Sequence, residues 1–321
     1  MTRSALIFGI TGQDGSFLAK SLLNKNYDVF GVSRSKQPNR VNHKLVKIEH
    51  EIDIRSINLS DIKEIGSLIE KLSPNEIYNL AGQSSVGISF LRPLQTLESI
   101  VDLTRNILES SRQLDYDGNL FFAGSGEIFG ETKNKATRDS KINPKSPYAV
   151  GKYASMLLVK LYRDSFGLNS KTGILFNHES FLRGENFVTH KLMQGAIECC
   201  LNKNKKIKLG NLSICRDWGC AEEYVEAMQL INRNSINTDH VICTGIGTSL
   251  KTIVQLIFEC LGLNWEDHVI IDETLFRESD VAISIGSPDP LLKELGWKAT
   301  KDVKNIYESI IHRYLKLRSV K

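Results

Sequence analysis

The feature that most constrains the fold of this chain is a glycine-rich segment that directly follows a short apolar run near the N-terminus. Residues Ala5–Phe8 have the length and composition of a buried strand, and Phe17–Leu23 have the pattern of the helix after it. Between them, Gly9, Gly12 and Gly15 occupy every third position. Such a turn lets the backbone approach a pyrophosphate at the helix N-terminus, where free N–H groups and the helix dipole attract anions. The segment therefore predicts a dinucleotide-binding turn, with a purely structural turn as the alternative.

Apolar runs of strand length then alternate with helical patterns up to about residue 176. This order is typical of a parallel sheet covered by helices on both faces. Because crossovers in such sheets are right-handed, the expected fold is an α/β, doubly wound, Rossmann-type sheet. The further strands are expected at Tyr27–Val32, Ile77–Leu80, Leu120–Ala123 and Lys171–Leu175, and the further helices at Leu97–Leu114 and Tyr148–Phe166.

The alternation ends after Phe176, which indicates a second, smaller C-terminal lobe for substrate binding. The polar residues Asn177–Asn186 are expected to form a loop, and Val188–Asn202 are expected to form a helix. Val241–Thr244 has the pattern of a late strand that rejoins the sheet.

The chain is accordingly divided into two parts. Residues 1–176 form the predicted dinucleotide-binding domain, and residues 212–250 are expected to cross back to it in part. The substrate-binding lobe is expected to contain residues 177–211 and 251–321.

The bulk composition excludes several functional classes. The formal net charge is only +4 and Lys and Arg are scattered, so nucleic acid is not expected as a partner. The chain has no apolar stretch long enough for a transmembrane helix and no recognisable signal peptide, so a cytoplasmic protein that does not bind membranes is expected. The 6 cysteines fit no zinc-binding spacing, and no metal site is predicted.

The end of the second predicted strand indicates which dinucleotide is bound. An acidic residue at this position binds the ribose hydroxyl of NAD, whereas an arginine accommodates the phosphate of NADP. Here Val32 is followed by Ser33, Arg34 and Ser35. The sequence therefore favours NADP, with NAD as the alternative.

Tyr148 and Lys152 are four positions apart and therefore lie on one face of a helix. Ser146 and Pro147 are well suited to begin that helix. The lysine ammonium is expected to lower the pKa of the phenol. A phenolate could then remove a hydroxyl proton while hydride leaves the same carbon for a nicotinamide.

Ser125 and Glu127 come just after the predicted strand Leu120–Ala123, and ligands of open parallel sheets collect at the carboxyl ends of the strands. Ser125 could form a hydrogen bond with the reacting hydroxyl. Simple alcohol oxidation needs no carboxylate here, but Glu127 suits proton abstraction beside a new ketone or protonation of a leaving hydroxyl. A solvated loop glutamate is the alternative for Glu127.

Longer strings of residues extend these motifs over nearly the whole chain. The set resembles the GDP-mannose 4,6-dehydratase family of the extended short-chain dehydrogenases, and the G-x-x-G-x-x-G spacing of the turn also resembles that superfamily. Strings of this length rarely arise by chance. They are Thr11–Ser16, Ala123–Gly130, Pro144–Lys152, Gly173–Ser180, Arg183–Lys191 and Arg216–Gly219.

The resemblance implies a reaction on a GDP-sugar. Tyr148 would deprotonate the sugar 4-hydroxyl while hydride passes to NADP⁺, and the new ketone would acidify the proton on C5. Glu127 would remove that proton, water would leave from C6, and hydride would return to C6, giving a 4-keto-6-deoxy sugar. Two alternatives remain: a C4 oxidoreductase or epimerase that shares Tyr148 and Lys152, and a non-catalytic NADP-binding regulator.

The resemblance also implies the residues that hold each ligand, and cations at Lys191 and Arg216 would meet the diphosphate of the substrate. The implied cofactor contacts are Gly9, Thr11, Gly12, Gln13, Asp14, Gly15, Arg34, Asn58, Leu59, Leu80, Ala81, Tyr148 and Lys152. The implied substrate contacts are Ser84, Asn177, Val188, Lys191, Arg216, Arg277 and Glu278.

The chain departs from the family pattern in several places. Ser125 stands where the family has threonine, Gly126 where it has serine, and Phe181–Leu182 where it has a proline–arginine pair. These changes leave the sugar open between mannose and a relative such as a manno-heptose. The segment from Arg34 to Asn58 is also shorter than the segment that reaches a neighbouring subunit in the family, so a homodimer is expected as well as the homotetramer.

Overall fold

The computed structural model describes residues 2–276 and 281–319. The strands in these residues are β1 (Ser4–Phe8), β2 (Asp28–Ser33), β3 (Asp53–Ser56), β4 (Glu76–Asn79), β5 (Asn119–Ser125), β6 (Ser170–Leu175), β7 (Asn177–Glu179), β8 (Ile207–Leu209), β9 (Cys215–Cys220), β10 (His240–Ile242), β11 (Gly247–Ser249), β12 (Val269–Ile271) and β13 (Ile283–Ser284). The α-helices are α1 (Gln13–Leu23), α2 (Val41–Val46), α3 (Ile62–Leu72), α4 (Val86–Leu91), α5 (Pro93–Leu97), α6 (Leu103–Gln113), α7 (Pro147–Phe166), α8 (Val188–Leu201), α9 (Ala221–Arg233), α10 (Leu250–Cys260), α11 (Asp289–Leu295) and α12 (Val303–Ser319).

The main sheet has seven strands in the order β10-β6-β5-β4-β1-β2-β3. Each neighbouring pair in it is parallel. The strand order changes direction at β1, which lies between β2 and β4, and ligands of doubly wound sheets bind outside the carboxyl ends of the strands at such a point. The predicted doubly wound parallel sheet is confirmed.

The sequence of β1 is apolar from Ala5 to Phe8 because both faces of the strand are buried. Ala5 and Ile7 pack into a core shared with α1 and α9, whereas Leu6 and Phe8 pack into the opposite core shared with α3, α6 and α7. All four side chains are fully buried, because helices cover both faces of a parallel sheet. The carboxyl end of β1 therefore delivers Gly9 to the edge of the sheet from a rigid strand.

A second sheet holds the elements that follow β6. In it, β9 pairs with β7, β11 and β13. A separate core between α8, α10 and α12 contains Leu192, Ile253, Phe258 and Tyr307. In the part of the chain that the structure describes, no helix is long and apolar enough to cross a membrane.

The prediction of a loop at Asn177–Asn186 is wrong at its start, because Asn177–Glu179 forms β7 and pairs with β9. The polarity of this stretch does not reflect exposure to solvent. His178 and Glu179 are buried and form hydrogen bonds with Asp14 and Thr189, respectively. Buried polar side chains with partners cannot be distinguished from exposed ones by composition.

The predicted helix at Leu97–Leu114 is interrupted by a π-helical turn at Glu98–Asp102, between α5 and α6. The turn packs against α7. The carbonyl of Ile100 in this turn accepts hydrogen bonds from Thr104 Oγ1 at 2.7 Å and from Ser155 Oγ at 3.2 Å. These hydroxyls satisfy a carbonyl in the irregular turn and join it to the helix that carries Tyr148.

Candidate active site

The glycine turn between β1 and α1 leaves no room for side chains at two of its positions. Gly9 has φ +87°, and a Cβ atom there would lie 2.8 Å from the carbonyl carbon of Leu80. A Cβ atom on Gly15 would lie 2.3 Å from the carbonyl oxygen of Gly9. Gly12 is the N-cap of α1, and its own N–H donates to the Gly9 carbonyl at 3.1 Å. The turn thus places a helix N-terminus beside β1 and β4, as a pyrophosphate site requires.

The remaining positions expected around the dinucleotide follow the ends of neighbouring strands. Arg34 is exposed directly after β2, and Leu80 and Ala81 follow β4 beside Gly9. Asn58 lies after β3, where its Oδ1 accepts from the Ser60 N–H at 3.1 Å. The carbonyl of Leu59 accepts from Asn106 Nδ2 at 3.3 Å. Thr11 lies within the glycine turn, and its carbonyl accepts from Asn42 Nδ2 at 3.0 Å.

Tyr148 and Lys152 lie in the first two turns of α7. The Ser146 hydroxyl caps this helix by accepting from the Ala149 N–H at 3.1 Å. Both side chains are almost fully buried, Tyr148 at 8% and Lys152 at 6% exposure. Lys152 Nζ donates to the Ala123 carbonyl at 2.7 Å, which fixes the ammonium against the end of β5.

Burial shifts the pKa values of these two groups towards their neutral forms. It raises the pKa of Tyr148 to about 12, although a hydrogen bond with Ser125 acts in the opposite direction and the Glu127 charge adds to the rise. It lowers the pKa of Lys152 to about 8. The expected lowering of the phenol pKa by Lys152 is therefore wrong, because desolvation dominates and the ammonium is bonded to the Ala123 carbonyl.

Ser125 and Glu127 meet Tyr148 at the carboxyl end of β5. Ser125 is the last residue of β5, and its Oγ accepts from the Glu127 N–H at 3.3 Å, capping a short 3₁₀ helix at Gly126–Phe129. Glu127 is half-buried, and its charge acts on Tyr148. The structure therefore brings a phenol, a hydroxyl and a carboxylate together, which is a set of groups able to move protons.

Gly126 lies against an aromatic ring. A Cβ atom at this position would lie 3.0 Å from Phe176 Cζ. The ring of Phe176 stacks on Phe129, with 6.2 Å between centroids, and a Cβ atom on Gly286 would lie 2.8 Å from the same ring. The absence of a side chain at Gly126 therefore leaves room for Phe176.

The positions expected to contact a substrate lie on several elements. Asn177 begins β7, Val188 begins α8, and Lys191 is exposed one turn further along α8. Ser84 is exposed in the segment after β4. Arg216 lies on β9 and is 7% exposed, and its guanidinium donates to the Cys215 carbonyl at 2.9 Å. Arg277 and Glu278 lie outside the described residues.

Two neighbours of Arg216 hold the second sheet in place. Asp217 accepts hydrogen bonds from the backbone N–H groups of Thr244 and Gly245, each at 2.8 Å, and Trp218 Nε1 donates to the Thr248 carbonyl at 3.0 Å. These contacts fix β9, and with it Arg216, next to the main sheet.

One polar pair at the glycine turn was not predicted from the sequence. Asp14 and His178 are 164 positions apart in the chain and lie 3.0 Å from each other. The available signal was the polar string Asn177–Glu179 immediately after an apolar strand. Among the described residues, no cluster of His, Cys, Asp or Glu could hold a metal ion.

Solved structures with a similar fold are enzymes that act on sugar nucleotides. One is UDP-glucose 4-epimerase from Thermotoga maritima, with a TM-score of 0.86, 21% identity, and 98% of this chain and 99% of that chain covered. Another is dTDP-glucose 4,6-dehydratase from Streptomyces venezuelae, with a TM-score of 0.87, 18% identity, and 99% and 98% covered. The chain shares its fold with these two enzymes.

The sequence comparisons define the family. The model of the GDP-mannose 4,6 dehydratase family matches residues 6–310, and the chain belongs to this family. GDP-mannose 4,6 dehydratase 2 of Arabidopsis thaliana is 37% identical over 325 residues, covering 98% of this chain and 87% of the relative. GDP-mannose 4,6-dehydratase of Sinorhizobium fredii is 33% identical, covering 94% and 93%.

Proposed function

We propose that this chain is a hydro-lyase that converts a GDP-sugar, either GDP-mannose or a GDP-manno-heptose, into the corresponding GDP-4-keto-6-deoxy sugar. The observation that carries the proposal is the carboxylate of Glu127, half-buried beside Ser125 and Tyr148 in a chain of the GDP-mannose 4,6-dehydratase family. A reaction that only oxidises C4 has no use for that carboxylate, whereas water elimination needs a base for the C5 proton.

The catalytic residues divide the proton transfers between them. Tyr148 takes the proton of the sugar 4-hydroxyl, and Ser125 forms a hydrogen bond with the phenol at this point. Lys152 keeps an ammonium close to the phenol ring, with Nζ 5.8 Å from the ring centroid. Once C4 is a ketone, the proton on C5 is acidic. Glu127 removes it and returns a proton to the C6 hydroxyl, which leaves as water, and C5 takes up a proton from solvent when C6 accepts hydride. A bound nicotinamide dinucleotide supplies the oxidant for C4 and the reductant for C6.

The glycine turn fits such a dinucleotide because it places the N-terminus of α1 directly after β1, where backbone N–H groups can meet a pyrophosphate. Gly9 and Gly15 permit this close turn, since a Cβ atom at Gly9 would clash with the backbone of Leu80 and one at Gly15 with the backbone of Gly9. The cofactor is then held by the turn (Gly9, Thr11, Gly12, Gln13, Asp14 and Gly15), by the strand ends at Asn58, Leu59, Leu80 and Ala81, and by Tyr148 and Lys152. The exposed Arg34 directly after β2 supports NADP, and NAD is the alternative.

Arg34→Ala should weaken NADP binding by roughly tenfold or more, because a charge-assisted hydrogen bond to the ribose phosphate is lost, and should change NAD binding little. Calorimetric titration of both dinucleotides measures the two effects. Lys36→Ala removes an exposed charge two residues further on and serves as the matched control. Equal losses for NADP and NAD in the Arg34 variant would remove the argument for NADP.

The GDP-sugar is bound mainly by residues after position 176 in this proposal, with Ser84 as a contact from the dinucleotide-binding domain. Residues 177–211 and 251–321 form the substrate lobe, whereas residues 1–176 and part of 212–250 form the dinucleotide-binding domain. Burial of Arg216 at 7% exposure supports a binding role, since a cation held there has a low-dielectric environment in which to meet a diphosphate. The proposed substrate contacts are Ser84, Asn177, Val188, Lys191, Arg216, Arg277 and Glu278.

Mass spectrometry of the product, after incubation with GDP-mannose or with a GDP-manno-heptose and NADP⁺, tests the proposed function. Loss of one water without net reduction of the dinucleotide is expected, and the better substrate identifies the sugar. Loss of two hydrogens with reduced dinucleotide would instead mean a C4 dehydrogenase, and an isomer of unchanged mass would mean an epimerase. No change with either sugar would contradict the proposed substrates and favour a non-catalytic role.

An exposed apolar strip supports the further proposal that the protein is a homo-oligomer, at least a dimer. Leu157 and Leu161 are about half exposed on one face of α7, and Leu91 and Leu94 are exposed at 82% and 73% on α4 and α5. Large exposed apolar side chains on neighbouring helices are typical of an interface, and α4 and α5 both pack on α7.

The double variant Leu157→Glu/Leu161→Glu should sediment as a monomer at concentrations at which the wild type is a dimer or tetramer, because it places two charges in the strip. Analytical ultracentrifugation measures the change. Leu201→Glu adds a charge at an exposed leucine at the end of α8 and should leave the assembly unchanged. A monomeric wild type would contradict the proposal.

A further inference from the structure

The side chain of His178 is held by acceptors at both ring nitrogens. Nδ1 lies 2.7 Å from the Phe176 carbonyl, and Nε2 lies 3.0 Å from each carboxylate oxygen of Asp14. A carbonyl and an ionised carboxylate only accept hydrogen bonds, so each ring nitrogen must carry a hydrogen. His178 in this position is therefore an imidazolium, and the contact with Asp14 is an ion pair.

The electrostatics agree with this geometry. Burial opposes charge on both groups, but the charge and hydrogen bond of each partner outweigh it, so the pKa of His178 is raised and that of Asp14 is lowered. The charge of Arg183 also acts on the pair, in the direction that lowers the pKa of both groups, and Asp14 interacts with Lys152 as well. The ring of Tyr224, from α9, packs on His178 with 4.8 Å between centroids.

The pair joins the two ligand sites of the proposed enzyme. Asp14 lies in the first turn of α1, which begins at the glycine turn. His178 lies on β7, and two further bonds connect the same elements, since Gln13 Nε2 donates to the His178 carbonyl at 3.2 Å and Ser180 Oγ donates to Gln13 Oε1 at 2.7 Å. The neighbour of His178 in β7 is Asn177, one of the proposed substrate contacts.

Strand β7 is fixed on its other side to the substrate lobe. Glu179 Oε2 accepts from Thr189 Oγ1 at 2.6 Å, and Thr189 lies in the first turn of α8 between Val188 and Lys191. A displacement of β7 would therefore move both Asn177 and the start of α8 relative to the glycine turn.

The charge of Asp14 also reaches the catalytic groups. It raises the pKa of Tyr148 and also acts to raise that of Lys152, in each case by Coulomb interaction. The imidazolium of His178 offsets this charge. Without it, the first turn of α1 would present a carboxylate that keeps the hydrogen bond from Gln13 Nε2 at 3.1 Å but has no ion pair with residue 178. A negative charge beside the proposed pyrophosphate position is unfavourable.

We infer that His178 is a positioning residue: as an imidazolium paired with Asp14, it cancels a carboxylate charge at the dinucleotide turn and holds β7, with Asn177, in register with that turn. The inference relies on the proposed function only for the identity of the two ligands. It assigns a charge-compensating role to a histidine that contacts neither of them.

Measurements of NADP affinity distinguish this charge-compensating role of His178 from a role in packing alone. His178→Gln removes the imidazolium that offsets the Asp14 charge and should weaken NADP binding by roughly tenfold. Asp14→Asn/His178→Gln removes the charge as well and replaces the ion pair by a neutral amide pair. It keeps the backbone N–H of residue 14, through which the first turn of α1 would meet a pyrophosphate, so affinity should return to near the wild-type value. His268→Gln, a buried histidine in the other lobe with one hydrogen bond to a backbone carbonyl, is the matched control.

The pH profile of kcat gives a second readout. Tyr148 must lose its proton to act as a base, so any rise in its pKa moves the acid limb of the profile to higher pH. His178→Gln should shift the acid limb to higher pH, because the charge of Asp14 is no longer offset and raises the pKa of Tyr148. The double variant should reverse this shift. The other groups that act on Tyr148 are Ser125, Glu127 and Arg183, and they are unchanged in all variants.

Nitrogen NMR of the wild type observes the imidazolium directly, without any ligand. Two protonated ring nitrogens at neutral pH are expected for His178, and a neutral ring would overturn the inference. Equal loss of NADP affinity in the single and double variants would also overturn it, because a packing role would not be rescued by removing a charge. Failure of the wild type to bind any dinucleotide would contradict the proposed function instead. The NMR experiment would still show whether His178 is an imidazolium paired with Asp14.

Discussion

Tyr148→Phe should stop both the oxidation at C4 and the loss of water, and lower kcat by roughly a hundredfold to ten-thousandfold or more. The variant keeps the ring but removes the hydroxyl proposed to take the 4-hydroxyl proton, and elimination cannot begin before C4 is oxidised. Turnover is measured by mass spectrometry of the product, and dinucleotide binding by calorimetry. Binding should persist, because the fold around the ring is unchanged.

The matched control for this variant lies on the same helix. Tyr162→Phe removes the same hydroxyl from the far end of α7, where it donates to Glu109 at 2.8 Å. Activity close to the wild type is expected there. Substantial activity in Tyr148→Phe would mean that another group is the base and that the whole arrangement at the end of β5 has been misassigned.

Glu127→Gln should abolish water loss by a similar factor while leaving the dinucleotide bound, because an amide of the same shape cannot remove the C5 proton. The proton transfer can be followed separately from turnover. The wild type in deuterated water should introduce deuterium at C5 of the sugar, and the variant should not. Oxidation at C4 does not use Glu127, so reduced dinucleotide should accumulate in the variant and be visible by its fluorescence.

Glu131→Gln, four residues further on and exposed, gives the same change of charge without a neighbour in the catalytic set. It should behave as the wild type. Undiminished water loss in the Glu127 variant would return the chain to the class of C4 oxidoreductases and epimerases, which share Tyr148 and Lys152 but need no carboxylate here.

The main sheet could be predicted from the sequence because its signals are local. A strand such as β1 is apolar at every position since both of its faces are covered, and the glycine turn needs three residues within a single segment. Strand β3 gave a weaker signal, because Asp53–Ser56 is mostly polar. Helix α3 after it has apolar residues at helical spacing, and the Asp61 N-cap with Glu64 three residues later indicates its start.

The site could be predicted only in part, because only some of its residues are brought together by local structure. Tyr148 and Lys152 are neighbours on one helix, and Ser125 and Glu127 follow one strand, so their proximity follows from local structure. The pair of Asp14 and His178 depends on tertiary packing between segments 164 residues apart. The direction of the Tyr148 pKa shift also depends on how deeply the phenol is buried, which spacing along a helix cannot report.

The contact between Gly126 and Phe176 has a consequence for how this position can change during evolution. A serine at position 126, as in the family pattern, would press on a ring already confined by Phe129 and by the backbone at Gly286. A side chain at position 126 therefore requires the ring to shift by a few tenths of an ångström. Substitutions at position 126 and substitutions that change the space around the Phe176 ring should accordingly depend on each other.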